Sequence, residues 1–141
     1  MNKTNSIPCK GQCLCGSIKY EVDKIEKHMA HCHCSMCRKF HGAAFSTYGE
    51  AKAKNFRWVK GESNLKNYIA SNGTKRIFCS ICGSSLVFVP SNDSGESVEF
   101  SLGTLDSEIE LKPDAHIFVD SGAKWYSITD DLPQHKKDRG D

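Results

Sequence analysis

Seven of the eight cysteines in this 141-residue chain fall into three tight groups, and their spacing constrains the fold more than any other feature. The groups are Cys13-Leu-Cys15, Cys32-His-Cys34-Ser-Met-Cys37 and Cys79-Ser-Ile-Cys82, with Cys9 alone outside them. Disulfide frameworks spread cysteines along a chain, because long closed loops constrain the unfolded state most. A metal site does the opposite: sulfurs about 2.3 Å from one zinc lie close together, so pairs of ligands come from single short turns. The start, Met1 to Lys10, is polar and has no hydrophobic signal core, which favours a cytoplasmic, reducing setting in which thiols stay free.

A tetrahedral zinc takes four thiolates. The natural partition joins Cys13 and Cys15 to Cys79 and Cys82, leaving Cys32, Cys34 and Cys37 as a triplet. Each pair is followed by a glycine, Gly16 or Gly83, which lets the backbone turn at positive φ and aim N–H groups at the sulfurs. A metal shared by Cys13 and Cys79 closes a loop of 66 positions. That closure costs about 4 kcal/mol, against about 10–16 kcal/mol supplied by a structural zinc, so the metal prevails.

Three thiolates leave a tetrahedral zinc one open position, the mark of a catalytic site. Such a position takes a water or a substrate thiol, which the metal would deprotonate. The alternatives are a fourth ligand from His31, His33, His41 or Cys9, which would close the site, or no metal and a Cys34–Cys37 disulfide. His33 stands between two ligands and points away from them in an extended segment, so it is the weakest of these. Arg38 and Lys39 follow the triplet directly and are its obvious local cations, or simply solvated basic residues.

Residues 17–22 alternate polar and apolar, the pattern of a half-buried strand. Further short strands are expected at Ala44–Tyr48, Phe56–Val59, Leu65–Ile69, Arg76–Cys79, Ser84–Val89, Val98–Leu102 and Ile117–Val119. No 12-residue segment carries a 3.6-residue period. The expectation is a mainly β domain of packed antiparallel sheets, with Cys79 and Cys82 at a hairpin tip. Residues 1–10 read as an N-terminal extension, 11–133 as the zinc domain and 134–141 as a frayed polar tail. Trp125 and Tyr126 belong either to a pocket wall or to the core, and core is favoured for Trp125.

With 19 basic and 17 acidic residues the formal charge is +2, which gives no electrostatic footprint for nucleic acid. No apolar run is long enough to span a membrane. Neither a nucleophile elbow, a phosphate-binding glycine loop nor a metalloprotease helix motif is present.

Taken together, Gly11-Gln-Cys-Leu-Cys-Gly16, His31-Cys-His-Cys-Ser-Met-Cys-Arg38 with Gly42, Phe78-Cys-Ser-Ile-Cys-Gly83, Leu102-Gly-Thr-Leu-Asp106, and Pro113 with His116-Ile-Phe-Val119 and Trp125 resemble a known family. It is that of the glutathione-dependent formaldehyde-activating enzymes, which includes the vertebrate centromere protein V. The resemblance runs from about Gly11 to Pro133. It implies a β-tent fold related to the methionine-R-sulfoxide reductases. It also implies a structural zinc on Cys13, Cys15, Cys79 and Cys82, and a labile catalytic zinc on Cys32, Cys34 and Cys37. The implied activity is that of a carbon–sulfur lyase joining a small thiol such as glutathione to an aldehyde such as formaldehyde. A non-catalytic, zinc-stapled glutathione-binding or scaffold module is the alternative. A methionine sulfoxide reductase would need a lone nucleophilic cysteine, a role only Cys9 could fill. His41 and His116 are the candidates for the proton relay.

Overall fold

The computed structural model describes residues 7–140. Met1–Ser6, most of the expected extension, and Asp141 lie outside the described residues. Ten strands and one short α-helix follow one another as β1 (Cys9–Gln12), β2 (Lys19–Val22), β3 (Ala30–Cys32), α1 (Ser35–His41), β4 (Ser46–Lys52), β5 (Phe56–Lys60), β6 (Leu65–Ile69), β7 (Lys75–Cys79), β8 (Ser85–Val89), β9 (Ser97–Ser101) and β10 (Ala115–Ile117). They form a three-stranded sheet, β1-β2-β5, and a seven-stranded sheet, β10-β3-β4-β9-β8-β7-β6. The domain is mainly β, as the alternation in Ser17–Val22 and its counterparts leads one to expect.

The core sits where the alternating apolar residues of both sheets meet. Ile18, Tyr20, Val22, Ala51, Leu86 and Phe100 are fully buried. The Tyr20 ring stacks on Phe56 at 5.1 Å and meets Trp58 and Phe100 at 6.1 and 5.7 Å. Its phenol is satisfied by Thr104 Oγ1 at 2.7 Å, which offsets the cost of burying the hydroxyl. Truncating Phe100 to Ala should remove about 3–5 kcal/mol of stability, measured as a fall in the denaturant midpoint at unchanged m.

Three features differ from the sequence expectation. One strand pair is parallel: β10 lies on β3 with His116 opposite His31. The expected strand at Ile117–Val119 is displaced to β10, because Phe118 adopts a left-handed conformation with φ 56° and ends it. The tail is pinned rather than frayed. His116 N–H donates to Pro133 O and Phe118 N–H to Lys137 O, at 2.8 and 2.7 Å, and Arg139 donates to Met29 O and Asp114 Oδ1. Strand β10 is an edge whose backbone groups need partners, and residues 133–137 supply them.

Candidate metal centres and active site

The Cys79 hairpin tip and the Cys13 turn converge so that the sulfurs of Cys13, Cys15, Cys79 and Cys82 all lie within 4.8 Å of one another. Sulfurs bonded at about 2.3 Å to a tetrahedral zinc stand about 3.8 Å apart. The separations Cys13–Cys15 and Cys15–Cys79 are 3.6 and 3.9 Å. Gly16 and Gly83 have φ of 79° and 82°, and the turns they permit direct backbone N–H groups at sulfur. Ile18 N–H donates to Cys13 Sγ at 3.4 Å, and Ile81 and Cys82 N–H to Cys79 Sγ at 3.3 and 3.4 Å. Ser17 and Ser84, which the spacing argument passed over, complete the surroundings. Ser17 Oγ is 3.1 Å from Cys15 Sγ, and Ser84 Oγ is 3.2 Å from Cys82 Sγ while accepting from Leu14 N–H. The donor set and distances fit zinc. Cys9 belongs to neither cluster; it packs against the core, where burial pushes its thiol up.

Cys32, Cys34 and Cys37 form the second cluster, also within 4.8 Å of one another. Cys32 ends β3, and Cys34 caps α1, its sulfur accepting from Cys37 N–H at 3.2 Å. The helix turns Cys37 back so that its sulfur stands 3.4 Å from that of Cys32. Hydrogen bonds from Cys32 and Cys37 hold Cys34 well below the usual thiol range, while the same sharing, with burial, pushes Cys32 up. Three soft donors from one short segment fit a zinc with a position to spare.

The cation that reaches this cluster is Arg76. Arg38 points its Nε at Ser121 O, 3.1 Å away. Arg76 projects from β7 beneath the triplet, donating to Cys37 Sγ at 3.7 Å and to Tyr48 Oη at 3.2 Å. Burial works against its charge, yet the neighbouring Cys37 and Cys34 sulfurs hold it above its ordinary range. Tyr48 is raised by burial and is a neutral phenol at pH 7. His41 Nε2 lies 2.8 Å from the same phenol, and burial with the Arg76 charge pushes that histidine down to about 4.

A cavity of about 420 Å³ opens beside the triplet, lined among others by Cys32, Cys37, Tyr48, Phe88, Ile117 and Phe118. Backbone strain at Phe118 thus falls on the cavity wall, where strained residues tend to concentrate. On the same cavity lining, Glu50 and Glu99 stand directly opposite each other on β4 and β9. Burial, with the charges of Glu50, Asp138 and Asp93, pushes Glu99 up to about 7. The folded state therefore holds this proton more tightly than the unfolded chain. The resulting stabilisation is complete below about pH 4 and is lost as pH rises through 7. Glu99→Gln should accordingly raise the melting temperature at pH 8 and leave it nearly unchanged at pH 4.

Neither predicted relay histidine lines this cavity. His41 reaches it only through Tyr48. His116 is buried behind β3, joined to His33 Nε2 at 2.7 Å and to Asp130 Oδ2 at 3.0 Å. His33, just past the end of β3, turns its ring into this group. Trp125 is 74% exposed and not in the core, because residues 122–129 carry no strand to hold it there; Tyr126 instead packs on Phe45 at 5.6 Å.

The fold and site thus define a small β domain with one four-cysteine and one three-cysteine cluster, each of which could hold a metal ion, the second beside a cavity. The family model described as "Glutathione-dependent formaldehyde-activating enzyme" matches residues 8–121, and the chain belongs to that family. An uncharacterized lyase of Schizosaccharomyces pombe is 28% identical over 120 residues, covering 84% of each chain. A crystal structure of a Rhodobacter sphaeroides protein superposes with a TM-score of 0.59 at 26% identity, covering 72% of this chain and 91% of that one. No helix among the described residues is long and apolar enough to cross a membrane.

Proposed function

We propose that the chain is a carbon–sulfur lyase-type enzyme that forms or cleaves adducts between a small thiol of the glutathione class and an aldehyde such as formaldehyde. In this reading Cys13, Cys15, Cys79 and Cys82 hold a structural zinc, and Cys32, Cys34 and Cys37 hold a labile catalytic one. The observation that carries it is the placement of a three-thiol cluster, rather than a closed four-ligand set, on the wall of a 420 Å³ cavity. Cys32, Cys34 and Cys37 would hold the metal, which when bound would supply an open position that acidifies a thiol. In the net reaction a sulfur–carbon bond forms, the carbonyl π bond breaks and the thiol's proton ends on the aldehyde oxygen; cleavage is the reverse. Phe88, Ile117 and Phe118 limit water around the reacting groups. Tyr48, a neutral phenol on the same wall, is the donor available to the aldehyde oxygen, with His41 behind it.

Exchange spectroscopy on a mixture of glutathione and formaldehyde tests this. The protein should accelerate interconversion of free and adduct forms, and Cys34→Ser should abolish the acceleration. Tyr48→Phe should keep the metal and slow turnover by about 10²–10⁴-fold. Exchange at the uncatalysed rate with both clusters loaded would rule the enzyme out in favour of a zinc-stapled binding module.

A further inference from the structure

Arg76 is a cation in a place that ordinarily excludes one. Its side chain is 4% exposed and lies between the rings of Phe40 and Phe88, 5.5 and 5.0 Å from the guanidinium carbon. Among the described residues no carboxylate comes within ion-pair distance of it. A buried charge persists only where an opposite charge compensates it. The groups its N–H donors reach are Tyr48 Oη and Cys37 Sγ. Tyr48 is neutral, which leaves the triplet as the anion.

We infer that Arg76 is the counter-charge of the Cys32–Cys34–Cys37 cluster, a positioning residue that lets the cluster accept a thiolate, not only a neutral water, as its exogenous ligand. The inference rests on the reading of that cluster as a thiol-binding metal site. Three thiolates around a divalent cation carry one net negative charge, and entry of a fourth thiolate makes it two. In a buried site that second charge opposes binding. The guanidinium beneath Cys37 returns the assembly to the charge it would have had with water in place and no arginine. The four-cysteine cluster, once closed, carries the same two negative charges but needs no such device, since Cys15 is exposed to water and backbone N–H groups face its sulfurs.

Loading both clusters with cobalt(II) makes the test spectroscopic rather than catalytic. Glutathione added to the wild-type protein should shift the thiolate-to-cobalt absorption of the second cluster and saturate. In Arg76→Met, which keeps bulk and loses charge, the apparent glutathione affinity should fall about 10–100-fold, with the four-cysteine spectrum unchanged. Arg76→Lys, which keeps the charge, should recover most of that loss. Loss of only the second cobalt from Arg76→Met would equally support the counter-charge. Should Arg76→Met prove insoluble, Arg76→Gln retains a donor toward Tyr48 and carries the same expectation. Equal glutathione affinity in wild type and in the uncharged variant overturns the inference. An unresponsive wild-type spectrum with two cobalts bound instead overturns the thiol-site reading on which it rests.

Discussion

Cys13→Ser or Cys79→Ser is expected to leave no soluble folded protein. The four-thiol cluster ties the turn after β1 to the tip of the β7–β8 hairpin, and these segments are 66 positions apart in the chain. A metal bound only in the folded state contributes its binding free energy directly to folding. For a structural zinc that is about 10–16 kcal/mol, comparable with the entire net stability of a domain this size, about 5–15 kcal/mol. Both sulfurs are fully buried, so a hydroxyl in either place also leaves a buried polar group against the remaining thiolates. Expression with fractionation of soluble protein and thermal melting are the checks. A variant that melts within a few degrees of the parent would show that the cluster is not a structural staple.

Cys34→Ser should behave in the opposite way, losing the second metal and the exchange activity while keeping the fold. All three triplet sulfurs come from Cys32 to Cys37, so their metal closes no long loop and its loss costs little chain entropy. The segment has independent anchors: β3 is paired on both sides, with β4 and β10, and His33 N–H donates to Ile117 O at 2.9 Å. In the wild-type protein a chelator titration followed by released zinc and circular dichroism should therefore show two phases. The first metal should leave with little spectral change and the second with unfolding. Saturating glutathione should alter the first phase alone. A single phase, with both metals leaving as the chain unfolds, would count against an open site.

The parts of this molecule legible from sequence are those in which the physics is local. Sulfurs that share a metal must come from short turns, so the Cys-x-Cys and Cys-x-x-Cys groups point to the clusters that the structure brings together. Tyr20 and Val22 alternate with Lys19 and Glu21, which is enough to place a half-buried strand. Helix α1 escapes detection because seven residues are too few to display a 3.6-residue period, and it starts where the Cys34 sulfur accepts from Cys37 N–H. The parallel pairing of β10 with β3 has no signature in either segment; it depends on residues more than 80 positions apart. Arg76 is the most instructive omission. In Lys75–Cys79 it reads as one more polar residue of a strand, and only the folded arrangement shows that it is buried without a carboxylate and aimed at Cys37. Arg38 and Lys39 are next to the triplet in sequence, where they read either as its cations or as solvated basic residues, and the helix carries Arg38 to Ser121 O.

The central claim is that the triplet holds a metal with a position open to a thiol. Native mass spectrometry of freshly prepared, reduced protein, with and without glutathione, tests it most directly. Two zincs per chain are expected, with one glutathione bound to the two-zinc species and none to the one-zinc species left after mild chelation. A single zinc per chain in undepleted protein, or glutathione retained equally by both species, would contradict it.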